Sequence, residues 1–89
     1  MYTITYHPKV VKDDIPKLDK KAQERIKKSI EAKLTENPEI YSDALRHTLS
    51  GNRKLRVGDY RVIFNMSDMT IKILIIAHRR NVYELGERR

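Results

Sequence analysis

Gly51-Asn52-Arg53-Lys54-Leu55-Arg56-Val57-Gly58-Asp59-Tyr60-Arg61-Val62-Ile63-Phe64 reads as two β-prone runs on either side of a two-residue turn. Gly-Asp between such runs is a hairpin signal, because glycine supplies the positive φ that a two-residue loop requires. A loop that short also fixes the register. Val57 faces Tyr60, Arg56 faces Arg61, Leu55 faces Val62 and Lys54 faces Ile63. Side chains alternate across a strand, so one face is predicted to carry Leu55, Val57, Tyr60, Val62 and Phe64. The other face carries Lys54, Arg56 and Arg61. The first set is a core face. The second places like charges directly opposite each other, which destabilises a bare sheet and suggests that an anion belongs between them.

Outward from this hairpin the chain continues in the same style. A turn at Ser67-Asp68-Met69 follows a strand over 60–66 and precedes another over 70–77. The last, Thr70-Ile71-Lys72-Ile73-Leu74-Ile75-Ile76-Ala77, is almost continuously apolar, as expected of a central strand covered on both faces. Residues 78–85 read as a short helix. At the other end, Tyr2-Thr3-Ile4-Thr5-Tyr6 alternates as a strand, ended by Pro8. A short helix is expected from Lys9 to Leu18, with Val10, Val11 and Ile15 as its apolar positions and Pro16 limiting it. Asp19 is placed to N-cap a second helix, along which Ala22, Ile26, Ile30 and Leu34 recur every fourth residue. Asn37-Pro38 stops it. Residues 39–50 read as a loop or a helical turn, with Ser42 as a cap and Leu45 and Leu49 turned inward. The predicted class is α+β: two N-terminal helices on a small, mostly antiparallel sheet, in the order β-α-α-β-β-β with a short C-terminal helix.

Charge is distributed unevenly. The 89 residues carry a formal net charge of +7. Residues 1–50 hold ten basic and eight acidic side chains, whereas residues 51–89 hold nine and four. The first half uses lysine and the second arginine, which forks onto phosphate and carboxylate. A polyanion such as RNA or DNA, or an acidic protein, is the implied partner. The chain has no cysteine, which excludes disulfides and thiolate metal sites. It shows no signal-peptide pattern and no apolar run long enough to span a bilayer. The expectation is one domain over 1–89, cytoplasmic and independent of any membrane.

Taken in order, the strand, the helix pair, Asn37-Pro38, Leu49-Ser50-Gly51, the Lys54–Phe64 hairpin and the late His78-Arg79-Arg80-Asn81-Val82-Tyr83 resemble the RelE branch of the RelE/ParE toxin superfamily. The most specific part is the Leu-Arg-Val-Gly-Asp-Tyr-Arg hairpin paired with the late His-Arg-Arg and Val-Tyr. The resemblance implies a toxin of a type II toxin–antitoxin system. It further implies a metal-independent, cofactor-free mRNA interferase that cuts mRNA in the A site of the 70S ribosome and is neutralised by a cognate acidic antitoxin. By position it assigns catalytic roles to Lys54, Arg61, Arg79 and Tyr83. Asn52 stands where the best-studied branch has a second lysine. Val10, Val11 and Ile40 are expected to help receive the antitoxin.

The chemistry of such a site can be stated from its residue types. A 2′-OH attacks the adjacent phosphorus, and the charge that develops is stabilised by preorganised cations. Arg56 and Arg61 are placed to clamp phosphate oxygens, with Arg53, Arg80 and His78 as further RNA contacts. Lys54 is a candidate base if neighbouring cations depress its pKa. Arginine is a poor proton donor, so Arg79 is given a charge-stabilising role and the acid stays open, with His78 the chemically easier candidate. Tyr83 is suited to stack on a base. Two other functions fit the same fold: a ParE-like toxin that inhibits DNA gyrase without nuclease activity, and an inactive homologue that only binds antitoxin.

Overall fold

The hairpin forms with the expected register. Arg53, Lys54, Leu55, Arg56 and Val57 pair with Phe64, Ile63, Val62, Arg61 and Tyr60. Gly58 takes φ +60° at the turn, a value that glycine reaches without the Cβ penalty. The computed structural model describes residues 1–46 and 51–88. Its strands are β1 (Thr3–Tyr6), β2 (Ser42–Ala44), β3 (Arg53–Val57), β4 (Tyr60–Ser67) and β5 (Thr70–His78). They form one sheet in the order β1-β5-β4-β3-β2, with β1 parallel to β5 and the other pairs antiparallel. The class is α+β, as the sequence indicates.

One element differs from expectation. Part of the segment read as a loop or helical turn is the edge strand β2, paired to β3 through Ser42–Leu55, Asp43–Lys54 and Ala44–Arg53. Arg53 secures it: its guanidinium donates to the Ser42 hydroxyl (2.8 Å) and to the carbonyls of Ser42 (3.0 Å) and Glu39 (3.3 Å). Three residues without apolar alternation give no strand signal of their own, so backbone pairing and this side chain make the strand. The expected inward packing of Leu49 lies outside the described residues. Leu45 is half-buried against the smaller of the two cores.

The helical layer covers one face of the sheet. Val10–Asp14 forms a wide π-helical turn and Ile15–Lys17, which contains Pro16, a 3₁₀ turn. Helix α1 (Lys20–Ser29) starts at Asp19, whose carboxylate accepts from the Ala22 amide at 2.7 Å. Such a cap contributes about 1 kcal/mol. The helix continues as a wide turn over Ile30–Leu34. The widening has a use. Apolar residues four apart drift by about 40° per step around a regular α-helix, and a wider turn returns Ile30 and Leu34 to the line of Ile26. All three are buried. Of the first segment's apolar residues, Val10 is buried, Ile15 is half-buried and Val11 is exposed. Val10 is therefore core and cannot receive a partner.

Strand β5 joins two cores. Ile63 pairs with Ile75 but Phe64 with Ile73, so Leu74 is an extra residue, a β-bulge. The bulge resets the alternation. Ile71, Ile73 and Ile76 thus join Leu55, Val57, Val62, Phe64, Val10, Ile26, Ile30 and Leu34 on the helix side. Ile75 joins Ile63 and Val82 on the other side, where the short helix α2 (Val82–Arg88) packs. The apolar run is covered on both faces, as its composition predicts.

Beyond the end of β1, the edge of β5 is closed by a side chain. Asp14, only 3% exposed, accepts the Ile76 amide hydrogen at 2.9 Å. The carboxylate replaces the strand partner that β1 is too short to supply. Among the described residues, no helix is long and apolar enough to cross a membrane.

Candidate active site

The face of the sheet opposite α1 is organised in two rows. Asp43, Lys54, Ile63 and Ile75 follow one another across β2, β3, β4 and β5, and beside them run Arg56, Arg61 and Ala77. Val82 of α2 seals Ile63 and Ile75. The next residue, Tyr83, is 43% exposed and reaches Lys54. The Lys54 ammonium lies 3.2 Å from the Tyr83 hydroxyl and 5.9 Å from the ring centroid. The structure therefore joins two of the four residues assigned to catalysis, from positions 29 apart in the chain.

The arginines explain how like charges can oppose each other across β3 and β4. Arg56 turns outward to Asp43, at 3.8 Å. Arg61 folds back over the turn and donates to the carbonyls of Gly58 and Tyr60, both at 2.9 Å. Each finds its own acceptor, so without RNA the two guanidiniums are drawn apart rather than poised as a clamp. Arg79 follows the end of β5. Its amide donates to the Asp59 carbonyl at 2.8 Å and its side chain lies 3.9 Å from the Asp59 carboxylate. Both ion pairs are exposed, and contacts of that kind are worth at most about 1 kcal/mol. An incoming phosphate can displace them at little cost.

The remaining candidates are dispersed. Arg53 is on the opposite face, holding β2. His78 pairs with Tyr60, and its ring meets the Tyr60 ring edge-on at 5.8 Å between centroids. That places His78 on the helix side, in a cleft of about 450 Å³ with Asp14, Lys17, Tyr60 and Asn81. Arg80 is exposed on the turn after β5, its amide donating to the His78 ring at 3.2 Å. Asn52 accepts from the Asn65 side chain at 3.3 Å. Among the described residues, no three His, Cys, Asp or Glu side chains converge as a metal-ligating set.

Sequence reading did not single out Arg25. Its guanidinium, from α1, lies on the hairpin turn, so close that a Cβ on Gly58 would sit 2.6 Å from Nη1. The only sequence trace of it is helical spacing, which puts Lys21, Arg25 and Lys28 on one ridge.

Fold and site define a small basic α+β protein that presents cations and a tyrosine from one side of a five-stranded sheet. The sequence pattern described as the ParE toxin of type II toxin–antitoxin system, parDE, matches residues 4–83. The chain belongs to the RelE/ParE superfamily of type II toxins. Among solved structures it is similar to a chain of the RelBE2 toxin–antitoxin complex of Mycobacterium tuberculosis, with TM-score 0.80 and 26% identity over 88% of this chain and 98% of that one. It is also similar to a chain of the archaeal RelE–RelB complex of Pyrococcus horikoshii, with TM-score 0.65 and 29% identity over 88% and 94%. A chain of the YoeB–YefM complex of Staphylococcus aureus shares the fold at TM-score 0.69 and 20% identity, over 88% and 97%. Among curated proteins, none matches in sequence.

Proposed function

We propose that this toxin is a ribosome-dependent mRNA endonuclease that acts in the cytoplasm. The observation that carries the reading is the Lys54–Tyr83 contact on a face that also bears Arg56 and Arg61. A cation paired with an exposed aromatic hydroxyl offers a nucleotide a base-stacking surface, a charge and a proton-transfer group together. Cleavage forms the O2′–P bond and breaks P–O5′. It leaves a 2′,3′-cyclic phosphate and a 5′-hydroxyl, with no external reactant. Lys54 and Tyr83 are the pair through which the 2′-OH proton leaves. Arg61 and Arg79 exchange their turn acceptors for phosphate oxygens as charge builds there. No metal or cofactor enters these steps. The groups missing from this constellation, a strong general acid above all, are supplied by the ribosomal A site. In the cell, an acidic antitoxin neutralises the toxin by covering this face. Exposed Val11 and Ile40 offer it further apolar contacts.

A ParE-like inhibitor of DNA gyrase is the second reading, favoured by the name of the matched family. Primer extension on translated and untranslated messages after induction separates the two. Cuts confined to the translated message support the nuclease. Intact messages, together with loss of gyrase supercoiling in a purified assay, support the alternative.

A further inference from the structure

Arg25 holds a position that stability alone does not account for. On α1 its neighbours one turn away are Lys21 and Lys28. Like charges at that spacing repel by a few tenths of a kcal/mol. Among the described residues, the Arg25 guanidinium has no hydrogen-bond or ion-pair acceptor. It lies over the Gly58-Asp59 turn, on which two more guanidiniums converge. Arg61 reaches it from the other face of the hairpin, 2.9 Å from the Gly58 carbonyl, and Arg79 from the end of β5, 3.9 Å from the Asp59 carboxylate. Three cations thus surround a two-residue turn that carries one carboxylate. The turn residue is a glycine, and no side chain stands between Arg25 and the backbone.

We infer that Arg25 completes a phosphate-binding site at the tip of the hairpin, which takes the backbone of a single-stranded RNA. Arg61 and Arg79 link it to the scissile phosphate, but Arg25 itself stands apart from the Lys54–Tyr83 pair. Four residues of strand, roughly 13 Å, separate Lys54 from the turn, so the phosphate that Arg25 meets is not the one beside Tyr83. A strand lying along the hairpin would contact both, and the ridge of Lys21 and Lys28 extends the track beyond Arg25. Arginine suits the place because its planar fork can rest flat on a glycine turn and still offer two donors to a phosphate. The inference rests on the nuclease reading, and the RNA phosphate has two sources, the message or ribosomal RNA.

The test compares wild type, Arg25→Gln and Arg25→Lys. Each is measured for binding to a 2′-O-methyl single-stranded RNA decamer and for cleavage of mRNA on programmed ribosomes, across a salt series. Losing one phosphate contact lowers the slope of log K against log salt by about 0.7 and weakens binding about fivefold at 0.1 M. Arg25→Gln is expected to show this loss in half-saturation while the rate at saturation and the melting temperature hold. Arg25→Lys is expected to restore the slope, which a purely packing role would not do. A loss in both assays assigns the phosphate to the message; a loss on ribosomes alone assigns it to ribosomal RNA. If wild type cuts mRNA and Arg25→Gln keeps its half-saturation and salt slope, the site is refuted and the nuclease reading stands. If wild type neither binds RNA nor cuts, both fall.

Discussion

The two faces of the β3–β4 hairpin share one backbone and one register but are built on opposite terms. Toward α1, Leu55, Val62 and Phe64 are buried in a core closed by helix residues. Away from it, Lys54, Arg56 and Arg61 stay half-buried or exposed, and Ile63, Ile75 and Val82, with partly buried Leu45, Leu74, Ala77 and Leu85 around them, form a small seal beneath α2. The first face gains from every contact it makes. The second carries repulsion that it relieves with weak, exchangeable acceptors: Asp43, two turn carbonyls and the Tyr83 hydroxyl. Stability and chemistry are therefore separable by residue. A substitution one position along the strand moves its effect from folding to function.

The sharpest way to break this contrast is at Phe64. Its side chain is fully buried between α1 and the sheet, and Phe→Ala in such a site costs about 3–5 kcal/mol. A domain of this size has about 5–15 kcal/mol in all. Phe64→Ala is expected to shift the urea midpoint sharply downward, with activity falling only in proportion to the unfolded fraction. If stability is unchanged, the helix side is not the main core.

Next in size is Arg61, the mirror case. Among the described residues, its guanidinium is held by the Gly58 and Tyr60 carbonyls. Arg61→Ala is expected to leave stability within about 0.5 kcal/mol and to lower single-turnover mRNA cleavage by about 10²–10³. A folded variant that cuts at the parental rate would remove Arg61 from the mechanism.

Much of this division was legible in the sequence. Gly58-Asp59 fixed the register, and register sorted the side chains. The four-residue stripe on α1 and the apolar run of β5 gave the layers. The illegible parts depend on partners distant in the chain. Strand β2 exists because Arg53 reaches back to Ser42. Arg25 acquires its place only when α1 lies across the turn. Asp14 looks like one charged residue among several until the short β1 leaves the Ile76 amide for it to cap. Lys54 and Tyr83 were singled out by family resemblance, position by position, but their contact was not, since nothing in local patterning connects residues so far apart.

Asp14 supplies a prediction of intermediate size. It is a charged residue buried on the helix side, 3% exposed, and its carboxylate satisfies a buried strand amide. Removing the acceptor from a buried donor costs about 1–3 kcal/mol. Asp14→Ala is expected to lower stability by that amount, and the amide proton of Ile76 should exchange faster with solvent. The proximity of His78 in the same cleft makes mRNA cleavage a useful control. If cleavage drops more than the unfolded fraction accounts for, the cleft side takes part in function and the two faces are less separate than described.

The smallest expected effect concerns Tyr6, also on the helix side. Burial, and secondarily the negative charge of Glu31, raise its pKa above the ordinary 10.0. The neutral phenol is therefore favoured in the folded protein. Between pH 10 and the higher folded-state value, the unfolded chain has released the tyrosine proton while the folded one keeps it. The unfolded state then binds fewer protons, so stability falls as pH rises through that window. Below pH 10 the phenol is protonated in both states and the contribution is flat. Tyr6→Phe should leave stability at pH 7 nearly unchanged and flatten the loss above pH 10, read as urea midpoints across an alkaline series. If Tyr6→Phe loses stability above pH 10 as steeply as wild type, burial of this phenol on the helix side is not what shapes the alkaline loss.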